Sequence, residues 1–258
     1  MSTSRPSITE LRAVAQAGVL ERRSAEHWAG RLYMRAISGH VTRWLVTTPV
    51  TPNALTLSMI VVGLAAAAVM TVPNLWAALA AALLVQVYLL LDCVDGEVAR
   101  WKRITSAAGV YLDRLGHFVV EAALVVALGF RAAGGLSTDA SGWMVLGALT
   151  SVVVVIGKLE SDLVVVARAG AGLPTGVEMD PVSRVGSVRT LRRLFALLPI
   201  HRLVGAVELT LLLVLAAVVD VVRGDLVATQ VLLVATAAVS LLVALGHPVT
   251  ILTSKKLA

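Results

Sequence analysis

Leu75-Trp76-Ala77-Ala78-Leu79-Ala80-Ala81-Ala82-Leu83-Leu84-Val85-Gln86-Val87-Tyr88-Leu89-Leu90-Leu91 runs for seventeen residues without a charge and ends on Asp92-Cys93-Val94-Asp95. An α-helix needs about 17–25 mostly apolar residues to cross roughly 30 Å of hydrocarbon. A run of this length is too long for a soluble core and reads as a membrane span over 74–94. Comparable runs occupy 54–72, 112–131, 142–166, 203–222 and 227–247. The expected fold is therefore all-α, a polytopic membrane protein with six transmembrane helices.

The composition agrees. Of 258 residues, 58% are apolar and 15% charged, against roughly 25% charged in an ordinary soluble domain. The net charge of +6 can mark nucleic acid or an anionic membrane surface as partner. Here the basic residues flank apolar runs, so the membrane reading prevails and no nucleic-acid partner is expected. Cys93 is the sole cysteine, which excludes an intramolecular disulfide. The first 50 residues hold seven arginines and no apolar core of a leader, so no cleavable signal peptide is expected.

Placing Lys and Arg against the spans sets the topology. Nineteen lie in segment 1–50, in 95–116, in 167–202 and at the C-terminus, against only Arg131 and Arg223 on the opposite side, with Lys158 inside the fourth span. The positive-inside rule then places both termini in the cytoplasm, in a multi-pass protein of the plasma membrane. Residues 1–50 form a cytoplasmic N-terminal segment, 51–250 the membrane domain and 251–258 a cytoplasmic tail. Within the first of these, Trp28, Leu32, Ile37, Val41, Trp44 and Leu45 fall near helical spacing, with Arg31, Arg35 and Arg43 among them. That pattern predicts an amphipathic helix lying in the membrane interface. Leu191, Leu194, Phe195 and Leu198, opposite Arg189, Arg192 and Arg193, form a second, weaker candidate.

The few acidic residues carry the chemistry. Asp92 and Asp95 are three apart at the end of the second span, and Asp113 and His117 four apart at the start of the third; each pair shares a helix face. A short connection between the spans would bring three carboxylates and an imidazole together. Carboxylates so placed repel one another, and bound divalent cations would offset that repulsion. Hard oxygen ligands favour Mg²⁺, Mn²⁺ or Ca²⁺ over zinc. Gly96, Ala99 and Gly109 are small enough to let a phosphate approach the backbone, and Arg100 could meet that phosphate or pair with an acid. The set reads as metal-assisted chemistry on a phosphate ester.

Asp92, Asp95, Gly96, Ala99, Arg100, Gly109 and Asp113 match, in type and spacing, the DxxDGxxARx8GxxxDxxxD signature of the CDP-alcohol phosphotransferases, also called CDP-alcohol phosphatidyltransferases. Thr51-Pro52-Asn53-Ala54-Leu55-Thr56 is similar to the TPNxxT that opens that family's first span. The resemblance implies transfer of a substituted phosphate from a CDP-alcohol donor to an acceptor alcohol with release of CMP, assisted by two divalent cations, Mg²⁺ or Mn²⁺. It implies that Asp92, Asp95 and Asp113 are metal ligands. It also implies that Asp95, Gly96, Ala99, Arg100 and Gly109, with Asn53 and Thr56, form the nucleotide pocket, and that the protein is a homodimer with membrane lipid as a partner. CDP-diacylglycerol is the donor expected, in phospholipid biosynthesis. The alternative is a soluble CDP-polyol such as CDP-inositol, toward which residues 29–38 show a slight likeness.

One position departs from the signature: the last aspartate is His117. A neutral imidazole is a better-poised base than a carboxylate near neutral pH and a less natural Mg²⁺ ligand. His117 is thus open to three readings: catalytic base beside Asp113, metal ligand or acceptor contact, or the mark of altered activity. Lys158 within the fourth span, with Arg168 and Arg202 in the segment that follows it, could bind an acceptor phosphate or polyol; alternatively they are structural, with Lys158 paired to an acid such as Glu121 or Glu208. Trp76, Trp143 and Tyr88 read as belt and packing residues, and His27, His40 and His247 as surface or interfacial ones. A transporter would spread its acids at mid-membrane across several spans, whereas these crowd at one edge.

Overall fold

A computed structural model describes residues 5–17, 28–136, 139, 141–174 and 205–253. Among these every regular element is helical. The described residues fall into two compact units. One comprises the chain up to Ala66 with Ala81–Val120, and the other Ala67–Ala80 with the chain from Glu121 onward.

In the first unit, α1 (Ile8–Ala15) starts with a capping box in which the Ser7 hydroxyl accepts from the Glu10 amide and Glu10 reaches back to the Ser7 amide. A π-helical turn over Gly30–Met34 runs directly into α2 (Arg35–Leu45). The α2 helix turns its small and polar residues inward: Ser38, Gly39 and Thr42 are buried while Ile37 and Trp44 are exposed, as is Leu32 in the turn before it. Then comes α3 (Pro52–Met70), with Thr51 accepting from the Ala54 amide and Pro52 in the first turn, where its missing N–H costs nothing. Leu55, Val94 and Val98 form a small core beneath Val41, Leu45, Val46 and Val50.

Helix α4 (Leu75–Lys102) and helix α5 (Ala107–Ala132) continue through the motif region, beyond the spans expected from hydropathy. Asp92 and Asp95 therefore lie within a helix and escape the unfavourable dipole of its C-terminus. The stop comes at Arg103, whose φ of 55° is left-handed. The Ile104 amide closes the turn on the Ala99 carbonyl, and Ser106 caps α5 by accepting from the Gly109 amide. This tight reversal sets the two motif-bearing helix segments side by side. Gly63 and Gly116 make the packing close: a Cβ at Gly63 would stand 2.5 Å from Val120, and one at Gly116 2.7 Å from Ile60.

The second unit contains α6 (Gly142–Gly170), α7 (Ala206–Arg223) and α8 (Val227–Thr253). Helix α6, at about 44 Å, exceeds the hydrocarbon thickness. Gly129 and Gly147 meet backbone to backbone: a Cβ on Gly147 would lie 2.7 Å from the Gly129 Cα. Asp220 is buried and accepts from the amides of Ala228 and Thr229 and from the Thr229 hydroxyl, which caps α8. Arg131 is 1% exposed and donates to the carbonyls of Val72 and Asn74. It holds a turn of the chain rather than standing free as a topological charge.

Among the described residues, five helices are long and apolar enough to cross a membrane: Pro52–Met70, Leu75–Lys102, Ala107–Ala132, Gly142–Gly170 and Val227–Thr253. The remaining expected span, 203–222, falls on α7, whose eighteen residues include Glu208, Asp220 and Arg223.

Candidate active site

The helical period splits the motif of α4 onto two faces. Asp92, Asp95 and Ala99 recur three and four residues apart on one, and Cys93, Glu97 and Arg100 on the other. The first face, with α5, makes the candidate site. Ligand atoms of Asp92, Asp113 and His117 all lie within 4.8 Å of one another. His117 Nε2 is 3.1 Å from Asp92 Oδ1 and 3.5 Å from Asp113 Oδ1, with side-chain exposures of 31%, 26% and 43% for His117, Asp92 and Asp113. The group is thus open to a solute yet partly desolvated.

Asp95 is buried deeper and turned toward α3, where Thr56 Oγ1 donates to its Oδ2 at 2.6 Å. Asn53 lies at the start of α3, its Oδ1 3.1 Å from the position a Cβ on Gly109 would take. The TPNxxT and DxxDG segments, thirty-nine residues apart at Thr56 and Asp95, are thereby joined.

The second face of α4 anchors the N-terminal segment. Glu97 is wholly buried; its Oε1 accepts from Gln16 at 2.9 Å, Arg35 at 3.1 Å and Ser38 at 2.6 Å, and its Oε2 from Thr42 at 2.7 Å. Arg35 also reaches the Cys93 carbonyl. Arg100, read from the sequence as a phosphate or acid partner, donates its Nε–H to the carbonyl of Ala15. Its guanidinium covers Gly96, where a Cβ would stand 3.1 Å from Nη1. The space above Gly96 is filled by Arg100 itself, one helical turn on.

Two functional candidates escape sequence reasoning. Glu97 sits in a variable position of the motif, and only its place opposite the Ser38–Thr42 spacing hints at its role. Tyr88, read as packing, sits one turn before Asp92 and places its hydroxyl 2.5 Å from His117 Nδ1. In the second unit, Lys158 pairs with Glu121 at 2.7 Å, Arg168 donates to the Pro174 carbonyl, and His247, read as interfacial, meets Glu160 at 3.2 Å. Arg202, His27 and the 189–198 segment lie outside the described residues.

Two carboxylates and an imidazole converging in this way fit a hard divalent cation of the Mg²⁺ or Mn²⁺ kind, with oxygen donors in the majority. No curated protein matches the chain. The family model described as CDP-alcohol phosphatidyltransferase matches residues 49–254, a stretch that contains both the TPNxxT segment and the acidic cluster, and the chain belongs to that family.

Proposed function

We propose that the protein moves a substituted phosphate from CDP-diacylglycerol to an acceptor alcohol in phospholipid biosynthesis, releasing CMP at the cytoplasmic face of the plasma membrane. The family carries the coarser statement, a transferase acting on a CDP-alcohol. The observation that carries the site is the convergence of Asp92, Asp113 and His117. The excess of Lys and Arg in the loops bounding that end of the spans supports the cytoplasmic placement.

In this reading Asp92, Asp95 and Asp113 hold the divalent cations, with His117 beside them. Cations held there would neutralise charge on the pyrophosphate and make CMP a better leaving group. Asn53, Thr56 and Gly109 line the nucleotide side, where the small glycine leaves room for the base or sugar. The acceptor hydroxyl gives its proton to His117 Nε2, and its oxygen attacks the β-phosphorus. The bond from that phosphorus to the oxygen bridging the two phosphates breaks, and CMP departs with that oxygen.

The test is CMP release by the purified full chain with Mg²⁺ or Mn²⁺, an acceptor panel, and radiolabelled CDP-diacylglycerol or CDP-inositol. Release with the lipid donor alone is expected; release with CDP-inositol alone would move the protein to soluble donors, and none with either would overturn the reading. His117→Ala should lower kcat by about 10²–10⁴-fold, the usual range for a lost general base, and His117→Asp should restore part of it. Unchanged turnover in His117→Ala would remove the base from the mechanism.

A further inference from the structure

The imidazole of His117 is held from both sides. Tyr88 and Asp92 lie four residues apart on α4, and Asp113 and His117 four apart on α5, so each pair stacks along one helix face. The ring of His117 bridges the helices, with Nε2 toward Asp92 and Asp113 and Nδ1 toward the Tyr88 hydroxyl. Tyr88 is 3% exposed. Its ring meets the imidazole edge to face at a centroid distance of 5.8 Å and an interplanar angle of 89°. Gly63 of α3 backs it so closely that a Cβ there would stand 3.1 Å from Tyr88 Cδ2. The phenol has little freedom to leave.

A histidine's two nitrogens are distinct, and the partner of one decides what the other can do. Whether His117 takes a proton or contacts a cation, its Nε2 must offer a lone pair to the carboxylate side. That requires the proton to reside on Nδ1, and a proton there needs an acceptor. The Tyr88 oxygen is the acceptor the geometry provides. An aspartate at position 117 would have no ring tautomer to be fixed, so the need for this partner is tied to the histidine.

We propose that Tyr88 is a positioning residue for His117, its phenol oxygen accepting from Nδ1–H and so directing the Nε2 lone pair at the site formed with Asp92 and Asp113. The proposal rests on the reading of His117 as a member of that site.

The experiment measures Mn²⁺ affinity of the purified full chain by electron paramagnetic resonance for wild type, Tyr88→Phe, His117→Ala and the double variant. Tyr88→Phe keeps the ring and its packing, so the unfolding midpoint serves as a check on the fold. Loss of the partner of a ligating histidine typically weakens metal binding about 10–100-fold. That loss is expected for Tyr88→Phe, with no further loss when it is added to His117→Ala. In Mg²⁺-saturated protein labelled with ¹⁵N-histidine, the signal missing from His117→Ala should report an Nδ1-protonated ring in the wild type and change in Tyr88→Phe. Wild-type affinity and an unchanged signal in Tyr88→Phe, or losses that simply add in the double variant, would overturn the role of Tyr88 while leaving His117 in place. Wild-type affinity in His117→Ala would remove His117 as a ligand and leave it as the base, and the ¹⁵N signal of Tyr88→Phe would then decide the role of Tyr88: an unchanged Nδ1-protonated signal overturns it.

Discussion

Thr56 Oγ1 lies 2.6 Å from Oδ2 of Asp95, and both side chains are buried. The bond ties the first turns of α3 to the C-terminal third of α4, and it fixes which way the motif carboxylate faces. A buried carboxylate oxygen deprived of its donor loses both solvation and orientation. Thr56→Val keeps the volume and removes the hydroxyl. It should lower kcat/KM for CMP release about 10–100-fold, the range found for partners of metal-ligating groups. Thr56→Ser should stay within about 3-fold, because its hydroxyl can make the same bond. Equal activity in both variants would mean that Asp95 needs no such support.

Glu97 is the hub that fastens α1 and α2 to α4. Glu97→Ala would leave the hydroxyls of Ser38 and Thr42, the Gln16 amide and the Arg35 guanidinium facing an apolar gap. At about 1–3 kcal/mol for each buried group left unsatisfied, undocking of the N-terminal helices is the expected result. Glu97→Gln can keep its carbonyl oxygen toward Gln16, Arg35 and Ser38 and turn its NH₂ toward Thr42, whose hydroxyl can accept. The cost should then be only the charge assistance to Arg35, about 1–2 kcal/mol. Unfolding midpoints, with proteolytic protection of Ile8–Ala15 as the local probe, would separate the two variants. Similar losses in both would show that charge, not hydrogen-bond count, dominates the hub.

The sequence made the long apolar helices and the cluster of Asp92, Asp113 and His117 legible because each rests on a short-range pattern. Apolar run length defines a span, and spacings of three and four define a helix face. Tyr88, Asp92, Asp113 and His117 could all be placed on faces this way, yet which residues of the two faces meet depends on how the chain reverses after Lys102. That reversal uses Arg103 in a left-handed conformation, a position where glycine would be the usual signal. Glu97 and Arg100 illustrate a second limit. Their spacing within the motif is visible, but their partners at Gln16 and Ala15 lie about eighty residues earlier, and no local pattern connects them. Arg131 illustrates a third: counting charges assigns it to a side, while the fold buries it against two carbonyls.

The crossing of α5 and α6 at Gly129 and Gly147 leaves no room for a side chain. A Cβ on Gly129 would lie 2.9 Å from both the Gly147 Cα and the Trp143 carbonyl oxygen, and backbone atoms cannot turn aside. Close approach through small residues is how membrane helices gain packing contacts. Alanine at either position should therefore destabilise by about 1–3 kcal/mol. Gly157→Ala provides the control, since nothing lies within 4 Å of a Cβ there; it should be neutral or stabilise by up to about 1 kcal/mol through helix propensity. Unfolding by titrated denaturing detergent in mixed micelles would measure all three. Equal stability of Gly147→Ala and Gly157→Ala would show that the helices can separate without loss.

Lys158 and Glu121 form a 2.7 Å ion pair with side-chain exposures of 29% and 12%. Both lie in helices long and apolar enough to span a membrane, where an isolated charge is costly. Glu121, one of the acids open to Lys158 from the sequence, lies beside its ammonium. Removing one partner leaves the other uncompensated, at a cost of about 3 kcal/mol for a well-buried pair, whereas replacing both with apolar groups is often neutral. Lys158→Met and Glu121→Leu should each destabilise the protein, and the double variant should recover most of the loss. Detergent titration of the four proteins gives the coupling directly. The double variant also isolates the chemistry of Lys158 from its role in the fold. If its acceptor KM matches wild type, the pair is structural; a rise of about 10-fold, equivalent to about 1.4 kcal/mol, would assign the ammonium to the acceptor. Additive losses in stability would instead mean that the two groups act through other neighbours and that their proximity contributes little.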